Sequence, residues 1–136
     1  MATPVEIVAP DVADPARFGS PTALGMQVGN LLFVSGMLAW DTERRIVGVG
    51  DIRAQTRKAL ENVEATLKAA GGSLANIVKI NFYLTDIRDK NAVWDVRKEM
   101  FAGHRPASTL VEVSHLVDPE GKLEIDAIAY VERGRA

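Results

Sequence analysis

The most constraining feature of this chain is a change of hydrophobic period between residues 51 and 85. Over residues 51–70, Ile52, Thr56, Ala59, Leu60, Val63, Leu67 and Ala70 recur at steps of three and four. That period places them on one stripe of an α-helix, about 30 Å long at ~1.5 Å per residue. Gly71-Gly72 ends it, because glycine accepts the left-handed conformation just past a helix. Over residues 77–85 the period falls to two, with Val78, Ile80, Phe82 and Leu84 expected on one side and Lys79, Asn81 and Tyr83 on the other. A singly striped helix followed by a half-apolar strand must bury the two apolar surfaces against each other. The chain is thereby committed to a helix layer on a sheet.

The flanking segments extend that frame. Residues 1–22 hold four of the six prolines and predict an irregular approach with a short strand at 5–8. Strands at 24–28 and 31–35 flank Gly29-Asn30, a turn pair that tolerates positive φ. A loop follows over 36–50, containing Trp40 and Asp41, with room for a short strand at 45–47. Asp86 can cap a second helix at about 90–101, its inner face being Val93, Val96, Met100 and the stem of Arg97. Strands at 108–114 and 122–132 read as a second hairpin around Asp118-Pro119-Glu120-Gly121, a type I turn with proline second and glycine last. On the last strand Leu123, Ile125, Ala127 and Ala129 share the inner face, opposite Glu124, Asp126, Ile128 and Tyr130.

The expectation is one α+β domain spanning 1–136, a single sheet with two helices on one face. The other face, carrying Lys79, Asn81, Tyr83, Glu124, Asp126, Ile128 and Tyr130, is too apolar to stay wet, so a partner subunit is expected to cover it.

Composition narrows the chemistry. With no cysteine, disulfides, zinc thiolates and a cysteine nucleophile are excluded. His104 and His115 are the two histidines and sit in no His-Glu-x-x-His pattern, so no metal is expected. A net charge of −2 gives no general attraction to nucleic acid, and Arg44-Arg45 and Arg57-Lys58 read as solvated surface. No apolar run approaches the ~20 residues of a membrane span. The N-terminus lacks the basic and apolar regions of a signal peptide, which leads to a cytoplasmic expectation. No phosphate-cradling glycine loop appears, since a helix cap explains Gly71-Gly72.

Five segments, in order and at matching spacing, resemble the RidA/YjgF (Rid) family. They are Gly29-Asn30-Leu31-Leu32-Phe33-Val34-Ser35-Gly36, Ala54-Gln55-Thr56-Arg57 with Asn62-Val63, and Ile77-Val78-Lys79. Arg105-Pro106-Ala107-Ser108-Thr109-Leu110-Val111-Glu112-Val113 and Leu123-Glu124-Ile125-Asp126-Ala127-Ile128-Ala129 complete the set. The resemblance implies a chorismate-mutase-like fold, with one mixed sheet and two helices on one face. Three copies would pack sheet to sheet into a homotrimer with clefts between neighbours. It also implies, for active members, hydrolysis of small-molecule enamines and imines to a carbonyl product and ammonia, without a cofactor.

The resemblance makes Glu124 the catalytic carboxylate, acting on water or departing ammonia, and gives Ser35 and Gly36 to the cleft lining. Thr22 falls where an aromatic hydroxyl often borders the cleft, Trp94 where a helix asparagine often closes it, and Leu110 on its wall. The arginine that grips a substrate carboxylate in active members is replaced by Ser108. Losing such a charge-assisted grip costs about 2–4 kcal/mol where nothing replaces it. Arg97 and Arg105 are the alternative cations, and the pattern is that of an arginine-less branch with an atypical, bulkier or more apolar ligand.

Each residue also has a plainer reading. Glu124 and Asp126 could be interface acids paired with Lys79 or an arginine, Ser35 a strand-end hydroxyl bonded to backbone, and Trp94 a core residue. Trp40 is either a lid or a packed anchor. Ser108 lacks a neighbouring base and is not expected to act as a nucleophile. Three functions follow: an imine or enamine deaminase, a non-catalytic metabolite-binding trimer, or a pathway-specific deaminase or hydrolase.

Overall fold

Helix α1 (Ile52–Ala69) begins where Asp51 accepts a 3.0 Å hydrogen bond from the Ala54 amide. It ends where Gly71, at φ +86°, and Gly72 donate back to the carbonyls of Lys68 and Leu67. That pair of bonds is a Schellman closure, and it requires the left-handed glycine. The computed structural model describes residues 3–133; Met1, Ala2 and residues 134–136, including the start of the N-terminal segment read above, lie outside the described residues.

The remaining elements are β1 (Val5–Ile7), β2 (Gly25–Val28), β3 (Leu31–Met37), β4 (Ile77–Leu84), α2 (Lys90–Phe101), β5 (Ala107–Glu112) and β6 (Leu123–Tyr130). They form one six-stranded sheet in the order β1-β2-β3-β6-β4-β5, in which only β4 and β5 are parallel. Helix α1 packs on the sheet through Ala59, Leu60, Val63 and Leu67, facing Leu32, Ile80, Phe82, Leu123 and Ile125 in one core. Burying each such leucine or isoleucine contributes roughly 1.5–3 kcal/mol. On the outer side α1 and α2 are tied by Arg53–Asp95 at 2.9 Å and Arg57–Glu99 at 2.6 Å, exposed pairs of small energetic weight.

Three expectations need correction. The two C-terminal strands are not a hairpin, because β4 lies between β5 and β6. The Asp118–Gly121 turn does form, its ends closed by a 2.9 Å bond from the Gly121 amide. The connection, however, passes over the end of β4, where Val113 donates to Leu84 and Thr85 to Lys122. Strand β6, with a continuous apolar side, takes the sheet's interior; β5, exposed along most of its length, takes the edge.

Val78 is not on the core side. The β4–β6 register slips between Ile77 and Lys79, so Ile77 turns inward and Val78 is 47% exposed. At 45–47 a single bridge, Trp40 to Ile46, stands where a short strand was expected. Asp86 caps a 3-10 turn over Ile87–Asp89 that runs directly into α2, and Phe101 joins Val93 and Val96 as its buried residues.

Three amide side chains on α1 and β2 are buried yet satisfied. Asn62 donates to the carbonyls of Leu38 and Trp40, both at 3.0 Å. Gln55 donates to those of Gly48 and Glu120 while accepting from the Lys122 amide. Gln27 donates to Val131 at 3.0 Å. They fasten the connecting segments to the frame, and among the described residues no buried side-chain polar atom lacks a partner.

Candidate functional site

Strand β3 carries a bulge where Val34 pairs with Ala127 but Met37 pairs with Ile125, leaving Ser35 and Gly36 opposite a single residue. The bulge brings the backbone of Gly36 against Glu124. A Cβ built at position 36 would lie 2.7 Å from the Glu124 Cδ, so any other residue there would displace the carboxylate from this position. Burial lifts the Glu124 carboxyl above its ordinary range, and the charge of Asp126 adds to that shift.

Asp126 sits two residues on along the same face and is already engaged. It accepts from Asn81 Nδ2 at 2.7 Å and from the Tyr83 hydroxyl at 2.9 Å. The hydrogen bond to Asp126, with burial, raises the Tyr83 phenol above its usual value. Lys79 bonds Thr109 Oγ1 at 2.8 Å instead of either acid. The two carboxylates are therefore differentiated: Asp126 is held by two donors, while Glu124 is packed against glycine.

Ser35 is bound to backbone, its hydroxyl donating to Ala23 O at 2.6 Å and its amide to Leu24 O. Thr22 is exposed and shares a 2.8 Å hydroxyl bond with Ser20. Thr22, Ser35 and Gly36 line a cavity of about 50 Å³, together with Arg44. Arg44, read from the sequence as solvated surface, is instead partly buried against this cavity. It occupies a left-handed turn at φ +62° and lies over the Trp40 ring at 4.3 Å. Trp40 itself donates to Asp118 at 2.9 Å, which makes it a packed anchor.

The other expected residues gather elsewhere. Trp94, Arg97, Arg105, Ser108 and Leu110 line a groove of about 810 Å³ between α2 and the edge strand β5. Trp94 is 40% exposed on its wall, with Lys90 Nζ 4.8 Å over the ring, and is not a core residue. Arg97 Nη1 donates to Ser108 Oγ at 2.7 Å, and its guanidinium lies 5.0 Å from the Phe82 ring and 5.6 Å from Phe101. Burial lowers its pKa from the ordinary arginine value. His104, stacked on Phe101, donates from Nε2 to the Ile77 carbonyl at 2.8 Å. Lys90, Phe101 and His104 also line the groove, and of these only Lys90 has a local sequence signal, its i, i+4 step to Trp94.

The register separates the two groups. Ser108 pairs with Ile80 and Leu110 with Phe82, which are core residues, whereas Glu124 pairs with Tyr83 on the face without helices. Alternation along the strands thus puts the Glu124 group and the Arg97 group on opposite sides of one sheet. Within one chain they do not face each other. Among the described residues, no group of three or more His, Cys, Asp or Glu side chains is placed to hold a metal, and no helix is long and apolar enough to cross a membrane.

A single mixed sheet, two helices confined to one side, and an acid set against a glycine bulge on the other define the class: a chorismate-mutase-like α+β chain. More particularly, the chain belongs to the endoribonuclease L-PSP family, the YjgF/RidA group, whose model matches residues 15–131. It is similar to the 3-aminoacrylate deaminase RutC of Acinetobacter baylyi, 37% identical over 128 residues, covering 94% of this chain and 99% of that one. A RutC family protein of Pyrococcus abyssi is 39% identical over 112 residues, covering 82% and 87% of the two chains. Among solved structures, E. coli TdcF with bound serine superposes with a TM-score of 0.84 at 31% identity, covering 93% of this chain and 98% of that one.

Proposed function

We propose that this protein hydrolyses reactive imines or enamines to a carbonyl product and ammonia, in clefts between copies of a homotrimer. Family membership and the similarity to a 3-aminoacrylate deaminase support a deaminase-type role. The observation that carries the reading is Glu124, lifted by burial and packed on Gly36, on the sheet face that lacks helices. The groove residues lie on the opposite side, so a shared cleft requires a second copy to bring its α2–β5 edge over the first copy's open face.

The chemistry asked of the site is modest. An iminium carbon is already electrophilic. Glu124 takes a proton as water forms the C–O bond, giving a carbinolamine, and returns it to nitrogen; as the C–N bond breaks, the hydroxyl releases its proton to the departing ammonia and the carbonyl forms. Burial, which raises the Glu124 pKa above its ordinary range, helps the carboxyl hold that proton between the two halves of the cycle. Gly36 leaves room for it, and Ser35 fixes the bulge through its bond to Ala23.

The test is keto-acid release from imines generated in place by an amino-acid oxidase, over a panel of side chains. The expected result is a rate above the spontaneous one that falls by about 100-fold or more in Glu124→Gln. An unchanged rate in that variant would remove Glu124 from the mechanism. A second reading, binding without turnover, draws on Ser108 standing where the family resemblance expects an arginine; saturable binding with no turnover across the panel would establish it.

A further inference from the structure

We propose that the α2–β5 groove binds a carboxylate carried on an apolar body of aromatic size, with Arg97 as the charge that holds it. The inference rests on the reading above for placing this groove in the reaction cleft, and it adds the class of substrate.

Three observations carry it. First, Arg97 meets no carboxylate among the described residues, whereas Arg53 and Arg57 of α1 are each paired with an acid of α2. Its hydrogen bond to Ser108 Oγ uses a single N–H of five. Secondly, the partly buried guanidinium lies 5.0 Å from the Phe82 ring and 5.6 Å from the Phe101 ring, which together shield part of it from water. A cation so treated and left without an anion is costly, and an incoming carboxylate repays that cost with a bidentate pair. Thirdly, no aspartate or glutamate lines the groove among the described residues, while Lys90, Lys98 and Arg105 do. In a chain of net charge −2, a cavity whose charged lining is entirely cationic favours anions.

The same lining sets the rest of the ligand. Ile87, Trp94, Phe101 and Leu110 form the apolar walls. The cavity of about 810 Å³ is far larger than a three-carbon acid needs. Trp94 offers an exposed ring to an aromatic or branched side chain.

The experiment is isothermal titration calorimetry on the full chain with phenylpyruvate, pyruvate and 3-phenylpropanol. Phenylpyruvate is expected to bind at least about tenfold more tightly than either of the others, one lacking the apolar body and the other the charge. Arg97→Gln should weaken phenylpyruvate by roughly 30-fold or more, Arg97→Lys by less, and Trp94→Ala should erase most of the preference over pyruvate. Should Arg97→Gln fail to fold, the comparison with the alcohol still decides whether a charge is required. Absence of phenylpyruvate binding, equal affinity for the alcohol, or full affinity in folded Arg97→Gln each overturns the proposal. Binding without imine hydrolysis in the parent protein fails the deaminase reading alone, and hydrolysis indifferent to Arg97 fails this one alone.

Discussion

On the helix-covered face of the sheet, Leu32, Ile80, Phe82, Leu123 and Ile125 are fully sealed, while on the open face Met26, Leu31, Phe33 and Tyr130 remain 37–47% exposed. Strand β3 supplies both sets, with sealed Leu32 between exposed Leu31 and Phe33. The covered face is complete within one chain: its helices supply the apolar partners, and its buried amides all find acceptors. The open face carries apolar side chains with nothing over them, beside a lifted acid whose chemistry is exposed. The difference separates two jobs. The first face holds the fold; the second is built to meet something else.

Paired substitutions test that separation most severely. Phe82→Ala empties a fully buried site and should cost about 3–5 kcal/mol in urea unfolding. Phe33→Ala, on the open face, should change a single chain's unfolding free energy by under about 1 kcal/mol. Its effect should appear instead in sedimentation, as weaker self-association. If Phe33→Ala destabilised as much as Phe82→Ala, independently of protein concentration, the open face would belong to the chain's own core and the comparison would fail.

The covered face's polar staples give the next effect. Replacing Asn62 by leucine removes both donors that hold the Leu38 and Trp40 carbonyls. Leaving those acceptors buried without partners should cost about 2–3 kcal/mol by thermal or urea unfolding. The loss should be independent of protein concentration, because the staple closes within one chain. A loss that shrinks as concentration rises would tie Asn62 to assembly.

How far the sequence discloses this arrangement depends on where the signal is local. The α1 stripe with its Asp51 cap and Gly71-Gly72 stop, and the inward Leu123, Ile125, Ala127 and Ala129, follow from period and cap chemistry alone. The position of β6 does not. A hairpin and a strand inserted between two others have the same alternation, and only competition for the interior decides between them. Val78 shows the same limit, since a bulge reverses the faces without changing the composition. At the site, the importance of Gly36 is visible as a glycine within a strand pattern, whereas the separation of Glu124 from Ser108 follows from register, which no short segment encodes. Asn62 and Gln55 lie inside a segment that carried the family resemblance, yet their contacts are with loops remote in sequence.

The smallest expected effect is the one that reports on the open face most directly. The folded-state pKa of Glu124 is raised above its ordinary value of 4.5, so the folded chain takes up that proton more readily than the unfolded one. Its stability contribution is then present below the ordinary pKa and is lost as pH rises through the raised value, because the ionised form is disfavoured only in the fold. Glu124→Gln, which is neutral at every pH, should raise Tm at about pH 7.5 by roughly 1–3 °C and leave it nearly unchanged at about pH 4. The modest size reflects a carboxyl that is only half-buried. Scanning fluorimetry at the two pH values measures it. A lower Tm for the variant at pH 7.5 would mean that the ionised carboxylate is stabilised by a cation from outside the chain; Glu124 would then be a paired interface acid, and the open face a joint rather than a site.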